Sequence, residues 1–322
     1  MSMKAIQIEK TGGIEVLKYT DVPIPKPAKS EILVKNHAIG VNYIDTYHRT
    51  GLYALPLPLI LGREGAGVVE AIGEGVADFK VGDRVAYLTS AGYAEYGVST
   101  EDKAAKLPDS VDFDLGAAAL LQGLTALSFV KEAYKVKPND WILVHAAAGG
   151  AGLLFTQLCK HFGAKVIGTT STPEKAEIAR KAGADHVINY AQEDVVAEVK
   201  KLTNGEGVHA VFDGVGKQTF DISLASLRRC GTLVSYGNAS GKVDNLDITR
   251  LSAGNYLLLR PTLYNYIVTK EEFQPLVKEL FDLIGAKKLD IKIFKTYPLE
   301  NAAQAHQDLE GRKTTGKLLL KP

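Results

Sequence analysis

Residues 144–152 read Val-His-Ala-Ala-Ala-Gly-Gly-Ala-Gly. An apolar run, "WILVHAA" from Trp141, enters this glycine turn, and a segment with apolar residues at helical spacing leaves it. The spacing predicts a helix over 151–162 with Ala151, Leu154, Leu158 and Phe162 on one stripe, a face suited to packing on a sheet. The first turn of a helix carries unpaired N–H groups and a partial positive charge, so it binds phosphate wherever a ligand can come close. Gly149, Gly150 and Gly152, with the small Ala148 and Ala151, clear side chains from that approach. The stretch is not a literal G-x-G-x-x-G, because Ala147 stands where the first glycine would be. Alone, it also reads as a tight strand-to-helix connection. What surrounds it favours a dinucleotide.

Downstream, strands and helices alternate: "KVIGTT", a helix over 173–182, "HVINY", a helix over 193–201, "HAVFDGV", a helix over 218–228, then "GTLVSYG". Short connections between alternating β and α segments call for a doubly wound parallel sheet with right-handed crossovers. Upstream the style differs. "MKAIQIEK", "EVLKYTDVPIPKP", "EILVKNHAIGVN", "GAGVVEAIGEGV" and "GDRVAYL" are short Val-, Ile- and Tyr-containing runs broken by Gly, Pro and Asp, which suggests a β-barrel or sandwich. From Asp112, "FDLGAAALLQGLTALSFVKEAY" is a long apolar helix, and Lys137-Pro138-Asn139-Asp140 ends it. After the βα run the tail predicts a helix near 271–286, a strand in "IKIFKTYPL", a helix over 301–310 and a closing strand in "TGKLLLKP".

The bulk numbers bound the function. The chain has 322 residues, 46% hydrophobic and 23% charged, which suits a globular protein of about two domains. Lys and Arg number 38 against 37 Asp and Glu, a net charge of +1, so no global field draws nucleic acid or anionic lipid. Two cysteines, Cys159 and Cys230, make no disulfide framework and favour a reduced, cytoplasmic setting. The start "MSMKAIQIEK" has no apolar signal region, and no run of about 18 apolar residues predicts a membrane span.

The second strand of the βα region bears on which dinucleotide. An NAD site normally places Asp or Glu roughly 20 residues past the turn, on the ribose 2′-hydroxyl. Here that place holds Thr170, Ser171 and Thr172, with Lys175 just inside the next helix. A missing carboxylate and an added cation suit a 2′-phosphate, hence NADPH. Lys175 by itself also reads as an exposed helix lysine.

"AAAGGAG" together with "LLQGLTA" (120–126), "GVNYIDTYHRTGLY" (40–53), "LGREGAGVV" (61–69), "VSYGNASG" (234–241) and "RPTLYNY" (260–266) resembles, over essentially the whole chain, the zeta-crystallin-type NADPH:quinone oxidoreductases of the medium-chain dehydrogenase/reductase superfamily, in particular those of yeasts. The resemblance implies a GroES-like β-rich catalytic domain built from 1–127 and 268–322, and an inserted Rossmann domain over 128–267 that binds NADPH. It also implies a homodimer formed through an edge strand of the Rossmann sheet.

Zinc-containing relatives carry a Cys after an early strand, a Gly-His-Glu signature and a four-cysteine lobe. Here Asn42 follows the strand, Gly62-Arg63-Glu64 stands at the signature, and two cysteines cannot supply a site that needs about four ligands. His37, His48, His145 and His161 form no metal-spaced cluster, so no metal is expected. Without one, an acceptor that is already electrophilic fits. A quinone qualifies, and holding it against the nicotinamide supplies much of the acceleration.

By resemblance, Asn42, Asp45, Tyr47, Tyr53 and Asn238 line the nicotinamide and substrate cleft, with Tyr53 orienting or protonating the quinone oxygen. Tyr53 also reads as a turn aromatic packed beside Leu52 and Leu55, with solvent as the proton source. The resemblance puts Gln122 and Thr125 by the nicotinamide ribose, Arg260 and Tyr236 by the cofactor, Ser171, Lys175 and Tyr190 at the adenosine end, and Arg312 and Lys317 on its phosphates. Two rival readings stay open. One is an NADPH-dependent reductase of α,β-unsaturated aldehydes and ketones, which would share the cofactor half. The other, by family resemblance only, is a structural or AU-rich RNA-binding role, which the near-zero charge and the lack of a basic run beyond Lys287-Lys288 do not favour.

Overall fold

The computed structural model describes residues 1–322 and divides into two compact units. The first comprises Met1–Gln122, Val268–Gly285 and Ile291–Pro322; the second comprises Gly123–Ile267 and Ala286–Asp290.

The first unit begins with β1 (Ser2–Ile8), β2 (Lys18–Pro23), β3 (Glu31–Val41), α1 (Tyr43–Thr50), β4 (Leu59–Ile60), β5 (Glu64–Ile72), β6 (Arg84–Leu88), β7 (Tyr96–Thr100) and β8 (Ala104–Lys106). Helix α2 (Phe113–Ser128) follows and carries the chain from the first unit into the second after Gln122; beyond it the helix widens over Phe129–Ala133, where the Tyr134 N–H reaches back five residues to the Phe129 carbonyl at 2.9 Å. Phe113–Ala133 is apolar and long enough to cross a membrane, yet 67% of its most apolar window is buried inside the protein, as in a core helix.

The second unit carries β9 (Trp141–Val144), α3 (Gly150–His161), β10 (Lys165–Thr170), α4 (Pro173–Lys181), β11 (His186–Asn189), α5 (Val195–Leu202), β12 (Val208–Asp213), α6 (Phe220–Ser226), β13 (Leu227–Ser235) and β14 (Leu257–Leu259). Its six strands form one parallel sheet in the order β11-β10-β9-β12-β13-β14, which reverses direction beside β9, where the glycine turn leaves. Leu143, Ile167, Ile188, Val211 and Leu233 from the sheet bury against Val195, Val199, Phe220 and Leu224 from α5 and α6. Local signals start the helices. Thr172 accepts the Lys175 N–H with Pro173 at the first helical position of α4, and Asp194 accepts the Ala197 N–H for α5, each cap contributing about 1 kcal/mol.

Two local expectations need correction. The single stripe on α3 does not hold: Leu153, Phe155, Thr156 and Cys159 are buried along with Leu154 and Leu158, while Phe162 caps the helix half-buried. Phe155 stacks on Phe212 of β12 with centroids 4.6 Å apart and also meets the rings of Phe129 and Tyr236, so aromatic side chains clasp the helix where it packs on the sheet. The helix expected to 228 stops at Ser226, because Leu227 already pairs with Val208 in the sheet.

The tail supplies α7 (Lys270–Gly285), β15 (Ile293–Pro298), α8 (Ala302–Glu310) and β16 (Lys317–Lys321). It completes the first unit, where seven strands run β15-β16-β3-β5-β6-β8 with β7 also on β3, beside a three-stranded sheet β2-β1-β4. Leu318 and Leu320 of β16 share a core with Ile6, Ile8, Ile39, Val41, Leu61 and Tyr93, so the chain's end is structural to its beginning.

Candidate functional site

The turn after β9 is built by close approach. Ala146 adopts a left-handed conformation with φ 51°, which costs an L-residue about 1–2 kcal/mol, and its carbonyl accepts the Gly149 N–H at 2.8 Å. A Cβ on Gly152 would lie 2.2 Å from that same carbonyl oxygen, so only glycine lets α3 start this near the strand. Gly149 is the N-cap of α3, and Gly150 opens the helix. Ala148 is buried, whereas Gly149, Gly150 and Ala151 are half-buried and border solvent. The result is a helix N-terminus with uncrowded backbone donors at the reversal point of a parallel sheet, a geometry suited to a pyrophosphate.

The end of β10 lies alongside. Thr169 and Thr170 are buried, Ser171 and Lys175 are half-buried, and no carboxylate ends the strand. The Tyr190 N–H donates to the Thr170 carbonyl at 3.1 Å, and the Tyr190 side chain is 46% exposed. Ser171 and Tyr190 are thus brought together across β10 and β11, with Lys175 in the first turn of α4.

Past β13, the Tyr236 N–H donates to the Asp213 carbonyl at 2.8 Å, and the ring lies 4.9 Å from Phe155. Arg260 Nη1 donates to the carbonyls of Ser235 at 2.8 Å and Gly237 at 3.0 Å, tying the end of β14 to the turn that carries the buried Asn238. Gln122 and Thr125 stand three residues apart, both half-buried, on one face of α2. Arg312 is exposed in the loop between α8 and β16.

The four residues of "NYIDTY" and its sequel separate into two groups. Tyr47 and Tyr53 meet edge-on with centroids 5.3 Å apart, the Tyr53 N–H donates to the Tyr47 carbonyl, and Tyr53 is 37% exposed. His48 Nδ1 lies 3.0 Å from the Tyr53 carbonyl and fixes the same loop. Asn42 and Asp45 turn inward. Asp45 is 0% exposed, so its expected place lining a cleft is corrected: its Oδ2 accepts the Asn42 N–H at 2.8 Å, helping to cap α1, and the Tyr93 hydroxyl at 2.9 Å. Its Oδ1 is buried without a partner. Burial pushes the carboxyl up to about 7, against the pull of the Asn42 N–H, the Tyr93 hydroxyl and the Lys317 charge.

From Asp45 the polar chain runs through Tyr93 to His306 Nε2 at 3.0 Å, and from His306 Nδ1 to Arg49 Nη1 at 3.1 Å. Arg49 can only donate, so Nδ1 accepts and the imidazole proton sits on Nε2. Burial and the Arg49 charge push His306 down to about 3, which keeps it neutral. Arg49 closes the chain with a two-pronged pair to Glu310 at 3.0 and 2.8 Å.

Lys317 requires a second correction. It is 1% exposed, and its Nζ donates to Glu64 Oε1 at 2.6 Å and to Asn42 Oδ1 at 2.7 Å, so it does not present its charge to a ligand phosphate. Glu64 also accepts the Asn42 side-chain amide at 2.7 Å and the Leu121 backbone N–H at 2.6 Å. Sequence reasoning missed Glu64, Arg49, Tyr93 and His306. One signal was available: a lone Glu or Lys at the mouth of an apolar strand run, as in "GREGAGVV" and "GKLLL", needs a buried partner of opposite sign.

No group of three or more His, Cys, Asp or Glu side chains is placed to hold a metal ion. Cys159 is buried and Cys230 exposed, on different strands and helices of the second unit. His37 stacks on Phe113, and His145 Nδ1 lies 3.0 Å from Thr169 Oγ1.

Known proteins resemble this chain along its whole length. Residues 28–120 match the alcohol dehydrogenase GroES-like domain family and residues 150–282 the zinc-binding dehydrogenase family. A quinone oxidoreductase of Pseudomonas aeruginosa is 46% identical over 99% of each chain. A probable quinone oxidoreductase of Schizosaccharomyces pombe is 47% identical over 99% of this chain and 97% of its own. The structure of Escherichia coli quinone oxidoreductase complexed with NADPH superposes with a TM-score of 0.97 at 44% identity, covering 99% of this chain and 100% of that one.

Proposed function

Because the chain belongs to the quinone oxidoreductases of the medium-chain dehydrogenase/reductase superfamily, we propose that it reduces quinones with NADPH. The observation that carries the cofactor half is the end of β10, where Ser171, Lys175 and Tyr190 stand in place of the carboxylate that would hold an unphosphorylated ribose. The glycine cradle supports it, since a Cβ at 152 would lie 2.2 Å from the Ala146 carbonyl oxygen, and glycine there lets the helix start close to the strand with its first N–H groups uncrowded for a pyrophosphate.

In this reading Ala148, Gly149, Gly150, Ala151 and Gly152 hold the pyrophosphate. Lys175 donates to the 2′-phosphate, with Ser171 beside it and Tyr190 against the adenosine. Gln122 and Thr125 bind the nicotinamide ribose. Arg260, Tyr236 and Asn238 shape the nicotinamide side, the guanidinium by fixing the 235–238 turn. Arg312 adds a cation at the surface. When bound, the nicotinamide supplies a hydride equivalent. The chain's own residues hold the acceptor and exclude water, which is where positioning contributes most. Tyr53, backed by Tyr47 and anchored by His48, gives its hydroxyl proton to the quinone oxygen and recovers it from solvent. A cytoplasmic setting and a homodimer accompany the proposal. β14 is the last strand of its sheet with Leu257 60% exposed, and a second copy laid on that edge would cover it.

The deciding experiment is NADPH oxidation by the purified protein against a panel of quinones and α,β-unsaturated carbonyls, with product analysis. Hydroquinone formation at the higher kcat/KM is expected. Turnover of enones without quinones would overturn the substrate assignment.

A further inference from the structure

Glu64 and Lys317 are separated by 253 residues and both lie in the interior of the first unit, 0% and 1% exposed. A buried pair of this kind seldom adds net stability over apolar residues of the same shape, because two desolvated charges offset their attraction. Its geometry does more than neutralise charge. Glu64 Oε1 takes the Lys317 ammonium and the Asn42 amide, and Oε2 takes the Leu121 N–H at 2.6 Å. Leu121 lies in the middle of α2, where a backbone N–H ordinarily goes to the carbonyl four residues back. A carboxylate at 2.6 Å competes for that proton and holds the helix where it passes Glu64. The next residue is Gln122. The fit leaves no slack, since a Cβ on Gly40 of β3 would lie 2.2 Å from Glu64 Oε1 and 2.7 Å from the Ala117 carbonyl oxygen.

We propose that Glu64, steadied by Lys317 and Asn42, is a positioning residue that sets Gln122 for the nicotinamide ribose through the Leu121 N–H. The inference rests on the NADPH:quinone reading above. Lys317 and Asn42 both bind Oε1, which orients the carboxylate and turns Oε2 to the Leu121 N–H. The carboxylate touches neither cofactor nor substrate and acts only through the helix.

Glu64→Gln separates this from a purely structural role. The amide oxygen still accepts from Lys317 and Asn42, while its NH₂ faces the Leu121 N–H and cannot accept from it. The test is a double-mutant cycle of Glu64→Gln with Gln122→Ala, read as the NADPH dissociation constant by quenching of Trp141 and as Leu121 amide exchange in the cofactor-free protein. Glu64→Gln is expected to weaken NADPH binding about tenfold and to alter Leu121 exchange, and to cost nothing further once Gln122 is alanine, since residues acting in series do not add. Additive losses, or unchanged binding in Glu64→Gln, would overturn the proposal. If Glu64→Gln does not fold, Glu64→Asp enters the same cycle, because it keeps the charge opposite Lys317 and shortens the reach to Leu121. A parent protein that binds NADPH but oxidises it with no quinone would overturn the functional reading instead.

Discussion

Asp45→Asn should make the protein's stability less dependent on pH, and the buried network sets the size of the change. In the folded chain the Asp45 carboxyl titrates at about 7, in the unfolded chain near 3.8, and burial is the main cause of the difference. Between those values the folded state keeps a proton that the unfolded state has lost. The stabilisation tied to that proton is complete below about 3.8, falls as pH rises, and is gone above about 7. Roughly three pH units at about 1.4 kcal/mol each give about 4 kcal/mol in all, of which about 3 kcal/mol falls between pH 5 and pH 8. The neighbouring charges pair off, Glu64 with Lys317 and Glu310 with Arg49, and His306 is neutral, so an ionised Asp45 has no cation of its own. Asparagine can accept the Asn42 N–H and the Tyr93 hydroxyl in the same place but carries no charge at any pH. Its NH₂ would take the position of the unpartnered Oδ1, at a cost of about 1–3 kcal/mol. Urea unfolding followed by circular dichroism at pH 5 and pH 8 measures the outcome. The variant should gain on the parent by about 3 kcal/mol between the two conditions, and be the more stable at the higher one. A difference between the proteins that stays the same at both pH values would refute the account of Asp45.

Lys175→Ala should raise the NADPH dissociation constant roughly ten- to a hundredfold, the loss of one charge-assisted hydrogen bond, while leaving NADH binding nearly unchanged. Trp141 quenching measures both, and equal small changes for the two cofactors would remove Lys175 from the site. Gly152→Ala drives a methyl against the Ala146 carbonyl, so it should cost about 1–3 kcal/mol of stability and sharply weaken NADPH binding. Calorimetry showing parental affinity would contradict the cradle. Elemental analysis should find zinc well below one per chain, and a chelator should leave turnover unchanged, because Asn42 and Glu64 are committed to the Lys317 ammonium.

How much of this was legible depends on whether a feature is local. Strand–helix alternation from Trp141 to Ser235, the glycine turn and the absence of a carboxylate after β10 could all be read from neighbouring residues, because periodicity and backbone freedom act over a few positions. The apolar stripe of α3 was underestimated, since it took no account of Phe212, an aromatic partner more than fifty residues away. Motif resemblance puts Lys317 on a cofactor phosphate and Asp45 in the lining of the cleft. Their true roles follow from pairings across the first unit: β16 lies beside β3 and β3 beside β5, which carries the ammonium of one chain end to the carboxylate of Glu64. The sequence by itself determined which segments are strands and helices and where a dinucleotide could approach the backbone. Only the tertiary structure decided which buried charges meet, because a charge taken out of water is held by whatever partner the sheet register brings within about 3 Å, and that register is set by the packing of the whole core.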